Sequence, residues 1–422
     1  MRPIKLLAGL VAMILVPTAP ALAGPASSNV VTIEVNPKTT TFPRPRINKP
    51  FVSVTICAPG QTSKGSCATI DNVLGDTGSI GLRIFGGPSR WPFALLKSGG
   101  GVAVIECQMF SDGRALWGPI VSADLIIGGE KAVNIPMQMI DAGYAGAFEL
   151  GICEPGKQIQ SAQDAGFNGI LGLNFLTRDK LGTYYSIYGA QGAPVTDCSF
   201  NGGVLMNNNQ TCVITWQNPP TQLDPSGVYD FRPVNPVTQF PVDNNGFIIT
   251  MQNLRPTKPP SKTPGQSSSA TRTLTFGINT KANNRVPASA NFFFTEAEGG
   301  VFTAVEPDAS YPALIDSGTQ GWVVPPSLKP GVLFECNGVP TWYCALPPTD
   351  VQIDIPSGTV KFTIGNYLNL IETGAGAFDD IAGPIPPPGN GAVILGMPFF
   401  YGRTIYFGLG GPPGTDFYAY LP

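Results

Sequence analysis

The sequence predicts an all-β protein. Three observations favour this class: abundant glycine and proline, few charged residues, and short apolar runs separated by turn-forming residues. The 422 residues include 51 Gly and 43 Pro, a density that interrupts long helices but suits strands joined by turns. With 43% hydrophobic and 13% charged residues, the chain is too apolar for general disorder and long enough to bury a sizeable core.

The N-terminus has the composition of a secretory signal peptide, which we place at residues 1–23. Arg2 and Lys5 precede an apolar run that ends at Val16, and Ala21-Leu22-Ala23 supplies a cleavage site of the small-x-small type. The apolar run is too short to span a bilayer comfortably, and no later run has spanning length. We therefore expect an exported protein, periplasmic or extracellular, with no membrane span.

The remaining segments follow in chain order. Residues 24–49 are polar and contain proline, so we expect a loosely held arm. Strand-like alternation begins at Phe51 in "FVSVTIC", and Cys107 to Glu130 is predicted to form a hairpin with its turn at Asp112-Gly113. The Pro-, Ser- and Lys-rich stretch from Arg255 to Arg272 is typical of an exposed linker or long loop.

The eight cysteines are predicted to form disulfides, because an even count in an exported chain favours disulfide bonds over metal sites. Cys57 with Cys67 and Cys336 with Cys344 would each close a short loop with a spacer rich in turn-forming residues. By elimination, Cys107 would then pair with Cys153, and Cys198 with Cys212.

Composition also excludes several functions. The net charge of −3 gives no basic surface for nucleic acid, so we expect no nucleic-acid partner. The chain has no histidine, which excludes Ser-His-Asp and Cys-His catalysis and makes imidazole-containing zinc sites improbable. A hydrolase with this composition must move protons with other groups, carboxylates above all.

A repeated motif supplies two such carboxylates. "NVLGDTGSIGLRI" in the first half matches "PALIDSGTQGWVV" in the second, and both contain Asp-[Thr/Ser]-Gly-[Ser/Thr]-x-Gly. Downstream at similar spacing, "NGILGLNF" matches "AVILGMPF". Two paired matches indicate an internal duplication, in which Asp316 is the counterpart of Asp76. The alternative for a single such motif is an ordinary turn, since Asp, Ser, Thr and Gly all favour turns.

These four motifs together resemble the pepsin-like aspartic peptidases. Nearly the whole mature chain is moreover similar to an uncharacterised family of exported bacterial pepsin-like proteins. The segments that carry this likeness are Asp76 to Arg83, Asn168 to Gly172, Asp243 to Gly246, Asp316 to Gly318 and Pro398 to Arg403. The resemblance implies a bilobal fold of two related β-barrel-like lobes with a cleft between them, residues 50–235 forming the N-terminal lobe and 236–422 the C-terminal lobe.

The resemblance also implies the site. One Asp from each lobe, Asp76 and Asp316, would activate a water molecule that attacks a peptide bond, without a metal or other cofactor. Two carboxyl groups at close range hold one proton between them, so one can act as a base and the other as an acid. Thr77 and Ser317 would hydrogen-bond across the lobe junction, and Ser79 and Thr319 would bond the outer carboxylate oxygens. Gly78 and Gly318 would allow the backbone to approach closely at each turn.

The "ILG" segments are expected to be core strands that cross beneath these turns, in a ψ-shaped arrangement implied by the resemblance. "DNNG" at Asp243 could form a hard-metal loop, but we expect a type I′ hairpin turn, since Asn-Gly is its preferred pair.

Three features depart from the pepsin pattern. The hairpin at Asp112–Trp117 corresponds in position to the substrate-covering flap of pepsins, and the alternative is an ordinary surface hairpin. It has Asp112, followed by Gly113, where pepsins have a Tyr, and Trp117 is the one aromatic residue that could replace that Tyr. Gly75 precedes Asp76, where an apolar residue is commoner. Arg83 replaces a Trp of the pepsin active site.

Two functions of different class remain open. The first is an exported, monomeric aspartic endopeptidase that cleaves peptides or proteins. The second is a catalytically weak or inactive pepsin-fold protein that binds peptides or acts as a scaffold. The intact second Asp motif favours the enzyme, and the altered flap favours the binding protein.

Overall fold

The computed structural model of the chain describes residues 29–35, 47–61, 63–86, 103–110, 112–146, 153, 158–180, 182–188, 199–201, 204–207, 210–217, 231–254, 266–267, 269–306, 309–386, 391–410 and 414–421. The predicted signal peptide and Cys198 lie outside these ranges. So do residues 255–265 of the predicted linker, whereas residues 266–267 and 270–272 belong to strands.

Strands dominate the described part of the chain, as predicted. In the first half they are β1 Val30–Val35, β2 Pro50–Cys57, β3 Cys67–Asp76, β4 Ile80–Phe85, β5 Val104–Met109, β6 Ala115–Ile127, β7 Glu130–Ile140, β8 Gly169–Leu173, β9 Thr183–Tyr188, β10 Ser199–Asn201, β11 Val204–Asn207, β12 Gln210–Thr211 and β13 Val213–Gln217. In the second half they are β14 Gly246–Met251, β15 Gln266–Ser267, β16 Ala270–Phe276, β17 Asn291–Phe294, β18 Phe302–Glu306, β19 Ala309–Ile315, β20 Trp322–Val323, β21 Glu335–Cys336, β22 Val339–Ile355, β23 Gly358–Asn366, β24 Ala377–Phe378, β25 Ala382–Gly383, β26 Val393–Leu395, β27 Thr404–Gly408 and β28 Phe417–Leu421.

Helices in the same ranges are short. The α-helices are α1 Ala162–Ala165, α2 Tyr367–Ile371 and α3 Met397–Phe400, and the 3-10 helices are Lys64–Ser66, Tyr144–Gly146, Pro236–Gln239, Ala282–Asn284, Glu298–Gly300 and Pro326–Leu328. None of the described helices is long and apolar enough to cross a membrane.

The first lobe contains a closed barrel. Its six strands follow one another in the order β6, β7, β4, β8, β3 and β2, and pairing between β6 and β2 closes the ring. Closure leaves these strands without free edges. The inward-facing apolar residues, among them Val73, Leu82 and Leu171, belong to the main hydrophobic core.

The second lobe contains an eight-stranded sheet. Its order is β21, β22, β18, β19, β26, β20 and β25, and β23 pairs with β22. Ile315 at the end of β19 and Leu395 at the end of β26 are fully buried in the same continuous core that fills the first lobe. The fold is therefore bilobal and all-β.

Strands from both halves meet in one sheet. Beyond β2 the order continues through β1, β16, β14, β27, β28 and β17. Val30–Val35 pairs along its whole length with β16, and two of its residues also pair with β2. The expectation of a loosely held arm is therefore wrong for this segment, because alternating Val and Ile residues bury one face of it, with Ile33 and Val35 fully buried.

Three predicted disulfides are confirmed. They join Cys57 to Cys67, Cys107 to Cys153, and Cys336 to Cys344. Cys212 is also disulfide-bonded, but Cys198, its predicted partner, lies outside the described residues.

The "DNNG" segment is not a hairpin turn, so that prediction is wrong. It follows the 3-10 helix Pro236–Gln239 rather than a strand, and the positive φ values in it belong to Asp243 and Gly246. The buried Asp243 carboxylate instead accepts a hydrogen bond from the Thr280 hydroxyl and forms an ion pair with the Lys281 ammonium at 2.6 Å. These contacts hold the segment before β14 against the residues that follow β16.

Candidate active site

Each Asp turn connects the two outer strands of a repeated three-strand unit, whose central strand contains an "ILG" segment. In the first unit, β8 pairs in parallel with β3 and antiparallel with β4. In the second, β26 pairs in parallel with β19 and antiparallel with β20. Asp76 ends β3 and Asp316 follows β19, so both carboxyl groups emerge where the crossing strand passes between the two others. This is the ψ-shaped arrangement that the resemblance implied.

Glycines make the two crossings possible. A Cβ atom on Gly172 would lie 2.6 Å from the backbone of Ile80, and one on Gly396 would lie 2.7 Å from the carbonyl oxygen of Thr319. Side chains cannot occupy these positions, because real Cβ atoms are not found that close to backbone atoms. The prediction that the "ILG" segments are core strands with close crossings is confirmed.

Both Asp side chains are held by the same pair of hydrogen bonds. The Gly78 amide donates to Asp76 Oδ1 at 2.9 Å, and the Ser79 hydroxyl donates to Oδ2 at 2.6 Å. In the second turn, the amide of Gly318 donates to Asp316 Oδ1 at 2.7 Å, and the hydroxyl of Thr319 donates to Oδ2 at 2.6 Å. The predicted bonds from Ser79 and Thr319 are therefore confirmed, and the duplication extends to individual atoms.

The two turns interlock through Thr77 and Ser317, also as predicted. The Thr77 hydroxyl donates to Ile315 O at 3.0 Å and accepts from the Ser317 amide at 3.0 Å. The Ser317 hydroxyl donates to Gly75 O at 2.7 Å and accepts from the Thr77 amide at 3.2 Å. Both side chains are buried, so these four bonds fix the relative position of the turns away from competing water.

The interlock places each carboxyl group against the glycine of the opposite turn. A Cβ atom on Gly78 would lie 2.6 Å from Asp316 Cγ, and one on Gly318 would lie 2.6 Å from Asp76 Cγ. Burial, the charge of Asp76 and a hydrogen bond between the two carboxyl groups all raise the pKa of Asp316 well above its ordinary value. Two carboxyl groups in this arrangement can share one proton.

The predicted β5–β6 hairpin is present, and its role as a flap over the cleft stays a prediction, but Trp117 does not replace the flap aromatic. β5 and β6 pair around a turn in which the Asp112 carboxylate accepts from the Arg114 amide at 3.0 Å, and Gly113 has φ +79°. Trp117 is fully buried and its indole N–H donates to Tyr144 O at 2.8 Å. Its ring packs with the Cys107–Cys153 disulfide, so that part of the prediction is wrong.

One cluster of buried charged residues was not predicted from the sequence. Arg83 is fully buried, and its Nη2 atom lies 2.9 Å from Glu106 Oε1 and 2.6 Å from Asp179 Oδ2. The available signal was a single charge inside each of the apolar runs "SIGLRIF" and "AVIECQMF". A charge in an otherwise apolar strand requires a buried partner of opposite charge.

Asn48 was also missed, since it belongs to the segment predicted to be a loose arm. Its side-chain amide donates to Gln320 O at 2.7 Å and to Phe378 O at 2.8 Å, and its oxygen accepts from the Tyr401 hydroxyl at 2.8 Å. Asn48 has φ +54°, a conformation that Asn tolerates better than most residues. Asn48, just before β2 of the first lobe, is therefore hydrogen-bonded to the second lobe, and one of its partners, Gln320, lies four residues after Asp316.

Among the described residues, no group of three or more Cys, Asp or Glu side chains is arranged to hold a metal ion. The chemistry available at the junction is thus that of two adjacent carboxyl groups, four fixed hydrogen-bond donors and the backbone of two glycine turns.

Comparison with known proteins assigns the chain to a family. The profile of the family described as "Protein of unknown function (DUF3443)" matches residues 25–419. The chain belongs to this family. No curated protein matches this DUF3443 member in sequence. A solved structure, the aspartic proteinase from Irpex lacteus, is similar to it with a TM-score of 0.47 and 14% identity, over 93% of this chain and 96% of that one. The pepsin-like fold of the DUF3443 member is evident in its own paired ψ-shaped units and interlocked Asp turns.

Proposed function

We propose that this protein is an exported aspartic-type endopeptidase that hydrolyses peptide bonds in peptide or protein substrates. It acts as a monomer without a cofactor, in the periplasm or outside the cell. The observation that carries the proposal is the symmetric Asp76–Asp316 pair, in which each carboxyl group receives two hydrogen bonds from its own turn and faces the glycine of the other. The disulfides fit an oxidising compartment.

The proposed chemistry follows from proton sharing. The ionised carboxylate removes a proton from a water molecule, whose oxygen attacks the carbonyl carbon of the scissile bond. The protonated carboxyl donates its proton to the carbonyl oxygen as negative charge develops there. The proton taken from water then goes to the leaving amine. No imidazole takes part, which agrees with a chain that contains no histidine.

The hydrogen-bond donors around the Asp76–Asp316 pair have two different roles. Bonds from Ser79 and Thr319 hold the Oδ2 atoms of Asp76 and Asp316, and the Gly78 and Gly318 amides hold the Oδ1 atoms. The Thr77–Ser317 interlock prevents the turns from moving apart when substrate enters. Preorganisation of this kind avoids reorganisation during the reaction.

The test is cleavage of a mixed peptide library by the purified protein across acidic and neutral pH. We expect a bell-shaped profile, because activity requires one carboxyl ionised and the other protonated. Asp76→Asn and Asp316→Asn keep the shape of the side chain but each should lower kcat/KM by about a thousandfold or more, and the double variant should be no worse. Asp350→Asn, at an exposed carboxylate bonded to Thr363, is the matched control and should keep full activity.

The hairpin favours a second candidate, a peptide-binding or scaffold protein with little turnover. Its tip has the exposed Asp112–Arg114 pair, and Trp117 is buried elsewhere, so no aromatic of β6 can hydrogen-bond to a substrate in the cleft. Calorimetry with library peptides separates the two functions. Binding without cleavage at any pH would support the second candidate and reject the peptidase.

A further inference from the structure

The buried ion cluster behind the Asp76 turn joins three separate segments. Arg83 lies on β4, the strand that begins directly after the turn, and Glu106 and Gln108 lie on β5, the first strand of the hairpin. Asp179 follows β8 along the chain. The Arg83 guanidinium donates to Glu106 at 2.9 Å, to Gln108 at 3.0 Å and to Asp179 at 2.6 Å.

The cluster is closed and tightly packed. Arg83, Glu106 and Tyr184 are fully buried, and the Tyr184 hydroxyl donates to Glu106 Oε1 at 3.1 Å. A Cβ atom on Gly182 would lie 2.5 Å from the same oxygen and 3.1 Å from the Tyr184 hydroxyl, so no larger residue fits there. A change in the position of the Arg83 guanidinium would therefore move β4, β5 and the segment that contains Asp179 together.

Such a cluster is costly if its only purpose is stability. Two carboxyl groups and one guanidinium lose their hydration, and apolar residues of similar volume would stabilise the fold as well or better. Glu106 Oε2 is buried and has no hydrogen-bond partner among the described residues, so the cluster is not fully satisfied. What charged groups provide and apolar groups do not is directional bonding that selects one relative position.

The hairpin also packs against the strand that carries Asp76. Leu116 on β6 and Phe110 at the turn belong to an apolar cluster that includes Leu74, two residues before Asp76, and Ile170 on the crossing strand β8. Among the described residues, backbone pairing joins β5 to β6 and β9 but not to β4. The Arg83 bonds to Glu106 and Gln108 therefore add a direct side-chain link between the hairpin and the strand that follows the Asp76 turn.

We propose that Arg83 is a positioning residue that holds the β5–β6 hairpin in place beside the Asp76 turn, so that the hairpin can close on a bound peptide. The consequence for catalysis rests on the proposed function; the effect on the hairpin does not. Burial and the charge of Asp179 raise the pKa of Glu106 to about 8, against the attraction of Arg83.

The experiment compares amide hydrogen exchange and kinetics in four variants. Arg83→Met removes every bond of the guanidinium, and Arg83→Lys keeps the charge without the planar fork. Gln108→Met removes one Arg83 bond to β5 without leaving a buried charge unpaired. Lys281→Met is the matched control, because it breaks a buried ion pair with Asp243 in a different part of the fold.

We expect exchange in residues 104–118 to rise about tenfold in Arg83→Met and less in Gln108→Met and Arg83→Lys, with residues 246–276 unchanged. For the cleaved peptide, KM should rise about tenfold with a smaller change in kcat, since a displaced hairpin weakens substrate binding in the ground and transition states alike. Lys281→Met should leave both readouts at the wild-type level.

Failure of the positioning proposal can be distinguished from failure of the proposed peptidase function. Unchanged exchange in residues 104–118 overturns the positioning proposal, whether or not the protein cleaves peptides. Raised exchange there in a protein that cleaves nothing leaves the positioning proposal standing and rejects the peptidase. If Arg83→Met does not fold, Gln108→Met decides: hairpin-specific exchange supports the proposal, and wild-type exchange overturns it.

Discussion

At the residue scale, the lobe junction depends on two hydroxyl groups that each make two buried hydrogen bonds. Thr77 and Ser317 are both donor and acceptor, so removing either hydroxyl leaves a carbonyl and an amide of the opposite turn unpaired. An unpaired buried polar group costs about 1–3 kcal/mol. The junction is therefore expected to be sensitive to changes that remove a single atom.

We predict that Ser317→Ala lowers the free energy of unfolding by about 2–4 kcal/mol and that Thr77→Ala has a similar effect. The double variant should lose clearly less than the two single losses together, because either single change lets the two turns move apart and so weakens the two bonds that remain. Urea denaturation measures all three. Ser53→Ala, which removes an exposed bond to Asp71, is the control and should change stability by less than about 0.5 kcal/mol. Additive losses would show that the two residues act independently.

At the element scale, the sequence predicted the turns and strands that contain a repeated motif or an alternation of apolar and polar residues. The two Asp turns, the two "ILG" strands and the β5–β6 hairpin each have a local pattern, and each was found where it was expected. The partners of Arg83 could not be predicted, because Glu106 and Asp179 reach it only through strand pairing and a loop that the sequence does not specify. The "DNNG" turn was misread because its Asp bonds to Thr280 and Lys281, both distant in sequence.

The ψ-shaped units give a sharp test with two neighbouring glycines. Gly172→Ala places a Cβ atom 2.6 Å from Ile80 backbone atoms, so we predict a loss of more than about 3 kcal/mol or failure to fold. Gly75→Ala is the matched control, because a Cβ atom there meets only Ile33 and Pro50 at 3.7 and 3.9 Å. Thermal unfolding of both proteins gives the comparison. Similar melting temperatures would mean that β8 can move away from β4 without cost.

At the scale of the whole molecule, the two lobes are joined by more than the Asp turns. β1 inserts between β2 of the first lobe and β16 of the second, and Asn48 binds three residues of the second lobe. Neither contact was predicted, since residues 24–49 have the composition of a solvated segment. The division into lobes at residues 235 and 236 stays a prediction, because the shared sheet contains strands from both sides of that boundary.

The same architecture buries two acidic groups that bind protons more tightly in the folded protein than in the unfolded chain. The pKa of Glu106 is raised to about 8, first by burial and then by Asp179, against the attraction of Arg83, and the pKa of Asp316 is raised by burial and by Asp76. A raised folded-state pKa gives stability that is fully present below the unfolded-state pKa. That stability is lost as the pH rises towards the folded-state pKa.

We therefore predict that the free energy of unfolding falls as the pH rises from about 4.5 to about 8. Glu106→Gln removes one titrating group while keeping its size, so its stability should fall less steeply over that interval than the stability of the wild-type protein. Asp350→Asn, at an exposed position, should keep the wild-type slope. Urea denaturation at half-unit pH steps measures the three slopes. A wild-type stability that rises from pH 5 to pH 8 would contradict proton storage in the Arg83 cluster and at the Asp pair together.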